Sequence, residues 1–185
     1  SNIGKEFKGE IMFFKTKKSR KIYDLIIAHR GLHTKFPENT IKAYESALEK
    51  GYAIELDIRF TRDEEIVCFH DRYTKRLLGI SGTASHKTYR ELSGYFVKKT
   101  NEKIPLLSDV LKLVDGKVAL LIEVKGILTK RFQEKLLEIL KEYKGVIYFH
   151  AKNMITYIRL RRLFNDRTFY ILNPLRKRFN FIKSK

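Results

Sequence analysis

From about residue 22 onward, short runs of aliphatic and β-branched residues alternate with longer stretches whose apolar positions recur at helical spacing. That alternation predicts parallel strands joined by crossover helices, an α/β fold. Strands are expected over 22–29, 53–58, 65–70, 118–124, 146–149 and 168–172. Helices are expected over 40–50, 107–114, 129–143 and 154–164. The first of these carries Ile41, Tyr44 and Leu48 on one face, with Gly51 just past its end. The run 118–124 is so apolar that both faces of its strand must be covered.

Residues 72–103 break the rhythm. They are rich in Gly, Ser, Thr and Lys without a dominant period, and read as an insertion after the third strand with short helical pieces. No repeat or linker divides the chain, so 22–172 reads as one domain between a basic N-terminal segment, 1–21, and a basic C-terminal tail, 173–185.

Composition supports packing: 43% of the 185 residues are hydrophobic, which excludes global disorder. The net charge of +18 implies attraction to anions, and its basic residues crowd both ends. Two solvated tails are the simplest reading of those ends; attraction to an anionic lipid surface or a phosphate-rich polymer is the other. Nucleic-acid binding would rest on charge alone, since no binding motif accompanies it. The single cysteine, Cys68, excludes an intramolecular disulfide and reads as a core thiol. No apolar stretch approaches the roughly 18 residues of a membrane span, and the start lacks the apolar core of a signal peptide. A cytoplasmic chain, with basic ends suited to membrane association, is expected.

In α/β folds functional groups gather where parallel strands end. Those ends carry His29-Arg30-Gly31, Glu55-Leu56-Asp57, His70-Asp71, Glu123-Val124-Lys125 and Phe149-His150. Glu55 and Asp57 are two apart on one strand and so point the same way. With Glu123 they would repel unless a cation neutralised them, and oxygen donors suit Mg²⁺ or Ca²⁺. His29 and His70 end separate strands and can transfer protons near neutral pH. Arg30 and Lys125 are candidate phosphate contacts. His33, His86 and His150 have no neighbours that give them a role, and Pro37-Glu38-Asn39-Thr40 reads as a loop leading to a helix N-cap.

Five ordered motifs, Ala28-His29-Arg30-Gly31, Pro37-Glu38-Asn39-Thr40, Glu55-Leu56-Asp57, Phe69-His70-Asp71 and Ile122-Glu123-Val124-Lys125, resemble the glycerophosphodiester phosphodiesterase family. The resemblance continues through 104–111 and more weakly to about Leu172. It implies a TIM barrel in which His29 and His70 are general acid and base. It also implies one Mg²⁺ or Ca²⁺ held by Glu55, Asp57 and Glu123. The implied reaction is hydrolysis of a glycerophosphodiester to glycerol 3-phosphate and an alcohol; the expected substrate is a glycerophosphodiester or a lysophospholipid.

A TIM barrel needs about eight strands and about 250 residues, whereas this pattern supplies about six strands. A barrel shortened in this way would expose sheet edges, inviting a homo-oligomer or cover by the apolar residues of 7–14. The expected barrel also lacks the last contacts to phosphate and glycerol, for which His150 is a weak substitute. The alternative function is a catalytically impaired family member that binds anionic lipid or a protein partner through its basic ends.

Overall fold

The computed structural model describes residues 24–165, 168–170 and 180–182. In chain order it forms β1 (Ile26–His29), α1 (Ile41–Glu49), β2 (Ala53–Phe60), β3 (Ile66–Cys68), α2 (Lys75–Leu78) and α3 (Tyr89–Ser93). These are followed by α4 (Leu107–Val114), β4 (Leu120–Val124), α5 (Lys130–Leu140), β5 (Ile147–Ala151), α6 (Met154–Phe164), β6 (Thr168–Tyr170) and β7 (Asn180–Ile182). The strand order β6-β5-β4-β2-β1-β7, with β3 beside β2, makes a half-barrel sheet. Every described pairing in it is parallel except β2 with β3.

Alternation along the strands sorts the core into two layers. Ala28, Ile54, Leu56, Ile58, Ile122 and Phe149 point to the helix-covered face and pack with α1, α4, α5 and α6. Helix α5 contributes Phe132, stacked on Phe60 at 4.9 Å between centroids, and α6 contributes Phe164, stacked on Phe149 at 4.2 Å. The opposite face carries Ile27, Ala53, Leu121 and Tyr148, with Phe181 of β7 against them. Residues two further along the same strands therefore share that inner face: His29, Glu55, Glu123 and His150.

Two expectations are corrected. The third strand is antiparallel, because only residues 61–65 separate it from β2, far fewer than the dozen or so a parallel crossover needs. That link is a tight turn in which the Thr61 amide donates to the Glu65 carbonyl at 2.9 Å and Glu64 adopts φ 63°. The expected tail is also not all tail, since Asn180–Ile182 extends the sheet beside β1. The N-terminal segment 1–21, the proposed cover at 7–14 and the rest of 173–185 lie outside the described residues.

The insertion contributes Leu77, Leu78, Ala84, Leu92 and Val97 to a small core shared with Val67 of β3, Phe69 and Ile104. Short helical pieces form there, as the mixed composition predicts; α3 begins with a capping box between Thr88 and Glu91.

Candidate active site

The sheet register assembles the charged residues. His29 lies opposite Glu55, Asp57 opposite Glu123, and Glu123 opposite His150. Glu55, Asp57 and Glu123 are each no more than 5% exposed. Three buried carboxylates on adjoining strands demand compensation, because each lost its hydration on folding.

Compensation comes largely from side chains at the same strand ends. Lys125 Nζ lies 3.0 Å from Asp57 Oδ1 and also donates to Glu123 Oε1, which Lys152 Nζ approaches at 3.3 Å. The Arg30 guanidinium contacts Glu38 at 2.7 Å and Asp57 Oδ2 at 3.2 Å. The Arg30 backbone amide donates to Glu55 Oε2 at 2.9 Å, a bond made possible by the left-handed turn at Arg30, φ 60°. Gly31 continues that turn at φ 78° and packs directly on α1, where a Cβ would sit 2.8 Å from the Ala43 backbone.

Proton affinities follow from these contacts. Burial and the nearby Asp57 raise Glu55 above the usual carboxylate range. Burial works in the same sense on Asp57, but Lys125 and Arg30 overcome it and hold that carboxyl low. Glu123 is likewise opposed by burial yet drawn down to about 2 by His150, Lys125 and Lys152.

His70 stands beyond the end of β3, on the insertion side. Its Nδ1 pairs with Asp71 Oδ1 at 2.8 Å, and its carbonyl accepts from Arg59. Burial lowers its proton affinity. Arg76 bonds both Asp71 and Glu38, so an unbroken polar chain runs from His70 through Asp71, Arg76 and Glu38 to Arg30, the neighbour of His29. Beside it opens a cleft of about 750 Å³ that includes His70 and the cations Arg59, Arg72, Lys75, Arg76, Lys125 and Lys152.

The structure thus brings His29, Arg30, Glu55, Asp57, Glu123 and Lys125 to one face and sets His70 at the cleft. Arg30 and Lys125, expected at phosphate, are engaged with carboxylates. His33 lies near the site, 6.4 Å from the His29 ring, and burial lowers its proton affinity. His86 sits exposed in a 3-10 turn of the insertion.

Sequence reasoning missed Glu38, Asn39 and Arg76. The first two belong to the tetrapeptide read as capping, yet only Thr40 caps α1, accepting from the Ala43 amide. Asn39 instead clamps Asp57, and Tyr44 donates to Asn39 at 2.9 Å. Arg76 lies in a segment without periodicity, and nothing local marks it as a partner of Glu38, 38 positions away.

The donor set fits a divalent cation. Oxygens of Glu55 and Glu123 and a nitrogen of His150 lie within 4.8 Å of one another. Glu38, His70 and Asp71 form a second such group, but Arg30 and Arg76 already occupy its carboxylates.

The model of the glycerophosphoryl diester phosphodiesterase family matches residues 29–163. The chain belongs to this family. A glycerophosphodiester phosphodiesterase from Caldanaerobacter subterraneus is 36% identical over 129 residues, covering 64% of this chain and 53% of that protein. A rat lysophospholipase D is 30% identical over 141 residues, covering 69% of this chain and 44% of its own length. A solved phosphodiesterase of Oleispira antarctica, in complex with sn-glycerol-3-phosphate as product, superposes with a TM-score of 0.70 at 22% identity. That match covers 79% of this chain and 64% of the other, and establishes the shared fold. The chain spans about half the length of the curated relatives it matches. Of the motif residues, His29, Glu55, Asp57 and Glu123 lie on the adjoining strands β1, β2 and β4, and His70 lies just past β3.

Proposed function

We propose that this chain hydrolyses glycerophosphodiesters to glycerol 3-phosphate and an alcohol, with His29 and His70 as the proton-transfer pair. Glu55, Asp57 and Glu123 would provide the negative face that holds one divalent cation. The observation that supports this most strongly is the placement of three buried carboxylates beside a cation-lined cleft bordered by His70.

The cleft supplies the attraction for a phosphodiester anion, through Arg59, Arg72 and Lys75 in its lining. Asp71 accepts from His70 Nδ1, which leaves Nε2 of the neutral ring to take a proton. Arg76 holds Asp71 and Glu38 together, fixing His70 relative to the Arg30 turn. His29, whose Nε2 lies 3.9 Å from Glu55 Oε2, would deliver a proton to the departing alcohol. When bound, a divalent cation supplies Lewis-acid polarisation of a phosphoryl oxygen and a lowered pKa for an attacking hydroxyl.

Product release from glycerophosphocholine and from lysophosphatidylcholine, measured with Mg²⁺, Ca²⁺ or EDTA, tests this reading. Hydrolysis that needs a cation and falls at least a hundredfold in H29A and H70A is expected. The lysophospholipid arm follows from the named relative. Cation-independent release, or an H29A rate equal to that of the unaltered chain, would overturn the reading. Retained binding of the diester with no turnover in any condition would favour an impaired family member instead.

A further inference from the structure

We infer that His150 is a direct ligand of the cation. It completes a site of two carboxylates and one imidazole with Glu55 and Glu123, and it shifts preference toward Zn²⁺ and Co²⁺ and away from Mg²⁺ and Ca²⁺. The inference deepens the cation-dependent reading above, but its test reads binding rather than turnover.

His150 is 3% exposed, and neither ring nitrogen has a hydrogen-bond partner. A buried imidazole with both nitrogens unsatisfied is costly, and such groups call for an explanation. Nε2 lies 3.6 Å from Glu55 Oε1 and 3.9 Å from Glu123 Oε2. Both separations are too long for hydrogen bonds. They approach the spacing of donors sharing one ion, about 3.4–3.8 Å for bonds of about 2.1–2.2 Å at tetrahedral to trigonal angles.

The carboxylates are turned to suit. Glu55 gives its other oxygen, Oε2, to the Arg30 amide, and Glu123 gives Oε1 to Lys125 and Lys152. The oxygens left facing His150 are therefore one from each side chain. Asp57 is held differently: its buried Oδ1, which has no hydrogen-bond partner, lies 3.0 Å from the Lys125 ammonium, while Oδ2 accepts from Asn39 and lies 3.2 Å from Arg30 Nε. It is not among the donors that converge on His150.

The strands keep this geometry rigid. His150 sits between Phe149 and Ala151, both buried in the helix-covered core, so its ring is committed to the inner face. Glu123 lies directly opposite it across the β4–β5 pair. A donor set carried on three strands is preorganised. Hard oxygen ligands suit Mg²⁺ and Ca²⁺, whereas an imidazole nitrogen suits Zn²⁺ and its neighbours.

The test uses the full chain stripped of metal, titrated with Zn²⁺, Co²⁺, Mg²⁺ and Ca²⁺ by calorimetry, with the visible spectrum of Co²⁺ as a reporter of nitrogen ligation. His150→Gln removes the imidazole while retaining polarity, and His86→Ala controls for binding at an exposed histidine. Expected results are Zn²⁺ and Co²⁺ binding at least tenfold tighter than Ca²⁺. His150→Gln should lose at least tenfold in Co²⁺ affinity with an altered spectrum, while its Mg²⁺ affinity changes less than threefold. Unchanged Co²⁺ affinity and spectrum in folded His150→Gln would overturn the inference. Should that variant not fold, ¹⁵N ring shifts in the unaltered chain decide: Zn²⁺ must move one His150 nitrogen, and no movement overturns it. Ligation without hydrolysis would sink the proposed activity alone. Cation-dependent hydrolysis with no His150 ligation would sink this inference alone.

Discussion

Asn39 and Asp57 hold each other by two reciprocal bonds: the Asn39 side-chain amide donates to Asp57 Oδ2 at 3.0 Å, and the Asp57 backbone amide donates to Asn39 Oδ1 at 3.2 Å. Asn39 adopts φ 54° to do this, a left-handed conformation that asparagine tolerates better than most residues. Through this pair the loop before α1 grips a carboxylate in the middle of β2.

Removing that grip should cost stability. Asn39→Ala leaves buried groups of Asp57 unpaired, and a loss of about 1–3 kcal/mol is expected in urea unfolding. Tyr44→Phe, which removes the hydroxyl's bond to Asn39 and its contact with Cys68 but leaves both Asn39–Asp57 bonds, should cost less. Equal losses in the two variants would contradict the importance given to the Asp57 contacts.

Gly31 and Gly51 both have positive φ, at 78° and 66°, yet they should respond differently to alanine. A Cβ at Gly31 would lie 2.8 Å from the Ala43 backbone, whereas at Gly51 it would meet nothing within 4 Å. Gly51→Ala should cost about 1 kcal/mol from backbone strain, and Gly31→Ala more than twice that. Thermal melting of the two variants compares them directly.

Glu38 should contribute an acid-dependent share of stability. Burial opposes its ionisation, but hydrogen bonds and charge from Arg76 and Arg30 hold its carboxyl at about 2, below the usual 4.5. A depressed folded-state pKa stabilises above the unfolded value and is lost as protons bind. The contribution is therefore full above about pH 4.5 and disappears as pH falls through about 2, roughly 1–3 kcal/mol in all. Denaturant unfolding between pH 6 and 2 should show a shallower decline in Glu38→Gln. An unchanged slope in that variant would remove Glu38 from the acid response.

Lys125 neutralises both Asp57 and Glu123 while only about a tenth of its side chain is exposed. Lys125→Met should destabilise the cation-free chain by about 3–5 kcal/mol, the range for breaking a buried ion pair from one side. A divalent cation should then raise the melting temperature of Lys125→Met more than that of the unaltered chain, because it binds carboxylates left uncompensated. Equal increments would show that Lys125 and the cation do not act on the same charges.

Local pattern determined much of this protein. Apolar alternation marks the strands, helical spacing marks α1 and α4 to α6, and the two-residue interval between Glu55 and Asp57 puts both on one face whatever the fold around them. The motifs His29-Arg30-Gly31 and Glu123-Val124-Lys125 can be placed at strand ends from local pattern, and their resemblance to the family is legible in the sequence. The antiparallel turn into β3 was also open to inspection, since a link of residues 61–65 cannot carry a crossover.

Tertiary structure decided which charges face which. Sheet register, a long-range property, sets Glu123 opposite both Asp57 and His150. That is why a histidine with no informative sequence neighbours lies among buried carboxylates. Arg76 reaches Glu38 and Asp71 only because the insertion folds back over the loop before α1, and Asn39 finds Asp57 only because Gly31 lets that loop press against the helix. Side-chain direction along a strand repeats every two residues and can be read locally; the pairing of one strand with another is fixed by packing of the whole sheet.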